Sequence, residues 1–307
     1  MPKVRVPLRD RYRTSKAIFR ESIALVRKER DLWLFPILAS LVMLAMFTVM
    51  GLGAWLLVAS GLSWSAWTGV ILLAILLPVS YPFGVLTTML NAALLFGLHE
   101  RMARRKCTRR QAWARARAQL GPIARFSALT LLVSGALALV GQVLDKLRLV
   151  PYVGQALQVV GGLAWAVASF FVLPILVVQR ERGALAALRG SAALARDQWG
   201  KATAGMVTIA LVFLVPFFIL LGVAMLLSVG GFALVIATGA GGAASFLLGT
   251  LPMLVVVLLY LLAGLPVQQA AHLAYQAGLY RYATTGKVPR GFSRSTVVDA
   301  WEPYRQA

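Results

Sequence analysis

The sequence predicts an all-α, polytopic membrane protein: six transmembrane helices in three hairpins, with amphipathic helices on the cytoplasmic face. Three observations carry this expectation. Hydrophobic residues fill 60% of the 307 positions and the mean hydropathy is +0.78, more apolar than an ordinary soluble domain. Residues 32–98 and 202–280 contain no Lys, Arg, Asp or Glu. Because one crossing needs roughly 20 apolar residues, each stretch has room for at least two. Two further spans fit at 124–143 and 158–179. The third observation is the charge distribution: residues 1–31 hold 10 Lys and Arg, 99–125 hold 9, 180–201 and 281–307 hold 5 each, and 144–157 hold 2. Six spans with the N-terminus inside therefore put 29 cations in the cytoplasm and 2 outside, as the positive-inside rule requires.

The whole chain, 1–307, reads as one helical membrane domain. It comprises a basic segment at 1–31, a six-span bundle at 32–280 and a cytoplasmic tail at 281–307. In residues 15–31, Ile18, Phe19, Ile23 and Val26 recur at helical spacing while Arg20, Arg27, Lys28 and Arg30 can reach headgroups, which predicts a helix lying on the membrane surface. The chain enters the bilayer at Leu34-Phe35-Pro36, proline being tolerated in a first helical turn. Span one covers about 33–59, far longer than the apolar part of a signal peptide. Gly61 to Trp67 form an outer turn, with Trp64 and Trp67 suited to the interface.

Span two, 68–98, contains Pro78 and Pro82 and is expected to be kinked or broken near its outer third. A cationic run follows, and Gln111–Leu120 reads as an interfacial helix. Asp145, Lys146, Arg148 and Pro151 mark the outer link between spans three and four. In the inner helix Gly183–Trp199, Leu185, Leu188 and Ala192 oppose Arg189 and Arg196. The last uncharged stretch is read as two crossings, because three would put the C-terminal cations outside. That reading makes Gly230–Gly242 an outer loop or a re-entrant piece.

The net charge of +21 points to a membrane surface rather than to nucleic acid, since its distribution follows the spans. Each Lys or Arg near an anionic leaflet contributes about 1 kcal/mol. Arg104, Arg105, Lys106, Arg109 and Arg110 are the candidate lipid-binding residues, and anionic phospholipids the expected partners. Other membrane proteins or a second copy are further candidate partners. The uncharged spans leave Asn91, Gln142, Gln268, Gln269, His272, Tyr275 and Gln276 as intramembrane polar groups. Gln268, His272 and Gln276 share one helical face. With Asn91 they form a possible polar pocket, although interhelical hydrogen bonding explains them as well.

No chemistry is visible. There is no Gly-x-Ser-x-Gly elbow and no acid–His pair to activate a serine. Two histidines and the lone Cys107 supply no metal site, no disulfide and no expected cofactor. Gly239-Ala240-Gly241-Gly242 lacks the Lys-Ser or Lys-Thr of a phosphate loop. Residues 87–106 and 268–287 align at an offset of 181 with four identities, at Ala93, Gly97, Leu98 and Lys106. Chance explains this echo as well as duplication does. The expected function is a non-enzymatic inner-membrane protein that binds lipid or organises a membrane complex. The alternative is a permease or channel component with a path between spans two and six.

Ser22 to Pro36 (SIALVRKERDLWLFP), Phe170 to Trp199 (FFVLPILVVQRERGALAALRGSAALARDQW) and Leu279 to Phe292 (LYRYATTGKVPRGF) together resemble a bacterial family of six-span membrane proteins of unknown function. The resemblance runs in order through most of the chain, and LYRYATTG is its most specific element. It implies a multi-pass protein of the bacterial cytoplasmic membrane with both termini inside. The second segment is also distantly similar to the membrane domain attached to some glycerophosphodiester phosphodiesterases, and it implies no enzyme activity here.

Overall fold

The computed structural model describes residue 17 and residues 20–59, 66–147, 152–181, 183–197, 199–239 and 242–294, and their regular structure is helical throughout. Helix α1 covers 20–28. A 3₁₀ turn at Arg30–Trp33 leads into α2 (Leu34–Ala59), followed by α3 (Ala66–Met102), α4 (Arg109–Ala118), α5 (Leu120–Leu147) and α6 (Val153–Ala168). Helix α7 (Val172–Pro174) widens into a π turn at Ile175–Gln179, and α8 (Ala184–Asp197) and α9 (Trp199–Thr238) come next. Then come α10 (Ala243–Ser245) with a π turn at Phe246–Thr250, α11 (Leu251–Leu259) with a π turn at Tyr260–Gly264, and α12 (Leu265–Thr285).

Among the described residues, six helical stretches are long and apolar enough to cross a membrane: Arg30–Gly53, Ile75–Met102, Leu120–Leu144, Val153–Gln179, Phe213–Thr238 and Leu247–Thr285. The chain is therefore an all-α protein of multi-pass membrane type, and its last uncharged stretch supplies two such segments. Leu132, Leu226 and Ile236 stand 70%, 75% and 80% exposed. Side chains of this kind find an apolar solvent in lipid, not in water.

Burial is concentrated at one end of the bundle. Leu94, Leu95, Leu98 and Met102 of α3 pack with Tyr275, Leu279 and Tyr280 of α12, with Phe171 and Leu176 around α7, and with Leu32. Ala93, Leu98, Ala274 and Leu279, two of the identical pairs in the internal echo, all lie within this core. The two long basic linkers and the C-terminal segment fold onto this same end.

Four expectations need correction. Gly230–Gly242 is not a loop for most of its length, because α9 stays helical to Thr238 and the chain turns at Gly239 and Gly242, with φ of +66° and +59°. Continued helix keeps every backbone group bonded inside an apolar medium, which outweighs the weak helical preference of glycine. Of the two forms expected for span two, the broken one is not present, since α3 is continuous through Pro78 and Pro82.

Helix α1 packs into protein rather than lying on the surface. Ser22, Leu25 and Val26 are buried, and the Trp33 Nε1–H donates to the Val26 carbonyl at 3.1 Å. Gly291, at φ +98°, lets the chain approach, since a Cβ there would stand 2.7 Å from a Leu25 methyl. Ile18 and Phe19 lie outside the described residues, as do Gly61–Ser65, Arg148, Pro151 and the tail from Ser295 on.

Helix α8 buries Ala184, Ala187, Ser191 and Ala195, whereas Leu185 is 59% exposed and Ala192 faces outward. The small residues make the closest approach, and Leu188 and Leu194 pack partly buried against the core beside them.

Candidate functional site

Helix α3 ends in a tight turn, with Arg104 at φ +61° and its N–H bonded to the Arg101 carbonyl at 3.0 Å. The next helix starts cleanly: Thr108 accepts from the Gln111 N–H while the Gln111 side chain accepts from the Thr108 N–H, a reciprocal cap. Ala112 and Ala116 bury one face of α4 and leave Arg109 and Arg110 exposed at its start. The Arg115 Nε–H reaches the Val177 carbonyl at 3.0 Å, and its guanidinium lies 5.5 Å from the centre of the Phe96 ring. Burial, with Arg180 nearby, lowers the Arg115 pKa from its usual value.

These contacts gather chain segments that are far apart in sequence. Arg101 pairs with Glu29 and lies 3.9 Å from Asp31, which joins the end of α3 to the end of α1. The Arg101 Nη2–H also donates to the Cys107 carbonyl at 3.0 Å. The Ser293 N–H donates to Glu21 at 3.2 Å, joining the C-terminal segment to α1. The Ser191 hydroxyl donates to the Ala168 carbonyl at 2.6 Å and accepts from the Phe171 N–H at 2.9 Å, fixing α8 across the break between α6 and α7. All four basic segments thus contribute to one end of the bundle.

The five cations singled out in the sequence do not form one cluster. Arg104, Arg105 and Lys106 line a polar basin of about 470 Å³ together with Glu29, Asp31 and Arg290. Arg109 and Arg110 instead edge a separate apolar groove of about 430 Å³ between α2, α3 and α4. Arg105 is additionally 3.5 Å from Glu100. Cys107, at 5% exposed, borders the basin, and burial pushes its thiol up from the usual value. A low-pKa, reactive thiol is not what this position makes.

The polar groups of α12 find neighbours nearby. Gln268 accepts from the Tyr260 hydroxyl at 2.6 Å, and the Gln276 amide donates to the Phe170 carbonyl. The His272 ring sits edge-on to Phe170, with centroids 5.7 Å apart. Tyr275 is fully buried against the same Phe170, whereas Gln142 is exposed. The side-chain oxygens of Asn91, Gln269 and Gln276 are buried without a hydrogen-bond partner. Among the described residues, no three His, Cys, Asp or Glu side chains come together as metal ligands.

Sequence reasoning missed three features: the Ser191 tie, the Arg101 ion pairs and the groove. The only local signal for the first was a serine spaced with alanines along α8. Glu29 and Asp31 flank Arg30 and read locally as neutralising it.

The model of a family of unknown function, DUF6159, matches residues 85–291. The chain belongs to this family. In this DUF6159 member, the match runs from the middle of α3 to the turn at Gly291, so it takes in Arg104 to Arg110 and the polar face of α12. No curated protein and no solved structure matches the chain.

Proposed function

We propose that this DUF6159 protein is a non-enzymatic component of the bacterial cytoplasmic membrane, with both termini inside. It binds anionic phospholipid through its basic end and organises a membrane complex there, with partner proteins or a second copy. One observation carries this reading: basic segments separated by hundreds of residues are tied together at one end of an apolar bundle. A surface of that kind, next to lipid-solvated helices, attracts an anionic leaflet. The similarity of Phe170 to Trp199 to the phosphodiesterase-associated membrane domain fits a membrane-embedded role and brings no activity with it.

The test uses the detergent-purified full chain and fluorescent phosphatidylglycerol or phosphatidylcholine supplied in mixed micelles. Neutralising Arg104, Arg105, Lys106, Arg109 and Arg110 to glutamine together is expected to weaken phosphatidylglycerol binding and flatten its salt dependence, since screening acts over about 10 Å at 0.1 M salt. Unchanged binding by a folded variant overturns the reading and leaves these residues as topology signals.

A second reading, a permease or channel path between α3 and α12, is supported by the unpartnered oxygens of Asn91, Gln269 and Gln276. Cysteines placed singly at 268, 272 and 276 in a Cys107→Ser background distinguish the two. Under the lipid-binding reading, all three are protected from a small water-soluble thiol reagent. Labelling at any of them in the folded protein favours the path.

A further inference from the structure

The groove between α2, α3 and α4 has a composition that selects its occupant. Phe35 and Leu90, each 4% exposed, form its floor. Leu38 and Leu86, at 37% and 39% exposed, form open walls, with Val42 further along α2. From Leu34 to Val42 is about 12 Å along the helix axis at 1.5 Å per residue. The groove therefore runs lengthwise along a membrane-crossing helix, the direction in which acyl chains lie. At its basic edge stand Arg109, Arg110 and Trp113. Trp suits the boundary between hydrocarbon and headgroups.

The two arginines decide the charge of the ligand. Arg101 is paired with Glu29, and Arg105 lies near Glu100. The basin containing Arg104 and Lys106 already holds two carboxylates of its own. Among the described residues, Arg109 and Arg110 have no ion-pair partner, and no acidic side chain lines their groove. The described residues set no carboxylate against them, so the groove presents two unneutralised guanidinium groups at its edge. Guanidinium groups match phosphate oxygens in a planar, two-pronged fashion, and basic pockets between membrane helices are a recurrent way of holding acidic headgroups.

We propose that this groove is a site for a single anionic phospholipid, with its phosphate on Arg109 and Arg110 and one acyl chain laid along Leu38, Val42, Leu86 and Leu90. The proposal deepens the lipid-binding reading above and rests on it: it replaces a diffuse basic surface by one stoichiometric site.

Native mass spectrometry of the detergent-purified full chain tests this, with phosphatidylglycerol, phosphatidylcholine or glycerol phosphate added at equal concentration. The expected result is one retained phosphatidylglycerol per chain, with phosphatidylcholine and chain-free glycerol phosphate at least five-fold less retained. Arg109→Gln with Arg110→Gln, and separately Leu38→Trp to fill the groove, each lower that single adduct at least five-fold. Arg104→Gln, Arg105→Gln and Lys106→Gln together, which thin the diffuse basic surface but leave the groove intact, lower it by a smaller factor than the arginine pair does. Thermal melting confirms that each variant is folded, and the exposed positions of Leu38 and both arginines make that the expected outcome. Equal losses from the arginine pair and the basin triple, with no effect of Leu38→Trp, overturn the groove and keep the diffuse surface. Equal retention of phosphatidylcholine by the native chain overturns both. A dimer whose formation expels the lipid overturns the proposal in favour of a second copy in the groove.

Discussion

Ser191 ties α8 to the break between α6 and α7 at the basic end. Its hydroxyl joins a carbonyl and an N–H left unpaired where α6 gives way to α7, and it is fully buried. Removing it strands both backbone groups in an apolar interior, at a cost of about 1–3 kcal/mol. Ser191→Ala is therefore expected to lower the melting temperature of the purified protein in detergent, while Ala192→Ser, on the exposed side of α8, leaves it unchanged. Equal melting of the two variants would remove Ser191 from this role. The hydroxyl was legible only as a polar interruption among alanines. What it bonds to lies 20 and 23 residues away, and no local pattern encodes that.

Among the elements, prolines and π turns explain how α9 meets α10 and α11. Pro252 has no N–H to give to the Leu248 carbonyl four residues earlier, and the π turn at Phe246–Thr250 absorbs the irregularity. That carbonyl lies against Gly231, where any Cβ would overlap it. The glycines of this segment thus serve close packing rather than an extended loop. Gly231→Val is expected to destabilise the bundle by about 1–3 kcal/mol through overpacking. Gly222→Val, at an exposed α9 position with open space around it, is expected to be neutral or mildly stabilising. Chemical unfolding in detergent, monitored by helical circular dichroism, checks both; a Gly231→Val variant as stable as the native chain would contradict this packing. That the last uncharged stretch forms two apolar helical segments was legible from composition, but the continuation of α9 through Gly231 to Thr238 was not, and the carbonyl-to-glycine contact depends on which helices become neighbours.

For the whole molecule, the question is which way the bundle sits. The described parts of the basic segments lie at one end, joined by Arg101–Glu29 and Ser293–Glu21 contacts. Under the function proposed above, the positive-inside rule orients that end toward the cytoplasm. An alkaline phosphatase reporter fused after Ala307 is expected to be inactive, and one inserted within Gly61–Ser65 active. The opposite pattern would invert the molecule and place its basic end, groove and basin on the outer leaflet.

By itself the sequence determined the class: an all-helical chain, six apolar segments and the cationic linkers between them. Lipid solubility and charge sidedness are sums over single segments, so they survive in a linear reading. Only the tertiary structure decided which face of α1 and α8 is buried, which arginines are neutralised, and that Arg104 to Arg110 divides between a polar basin and an apolar groove. Those outcomes depend on distances between segments far apart in the chain, such as Glu21 and Ser293 with a sequence separation of 272. A side chain's partners are set by packing, and packing has no local signature in the order of the residues.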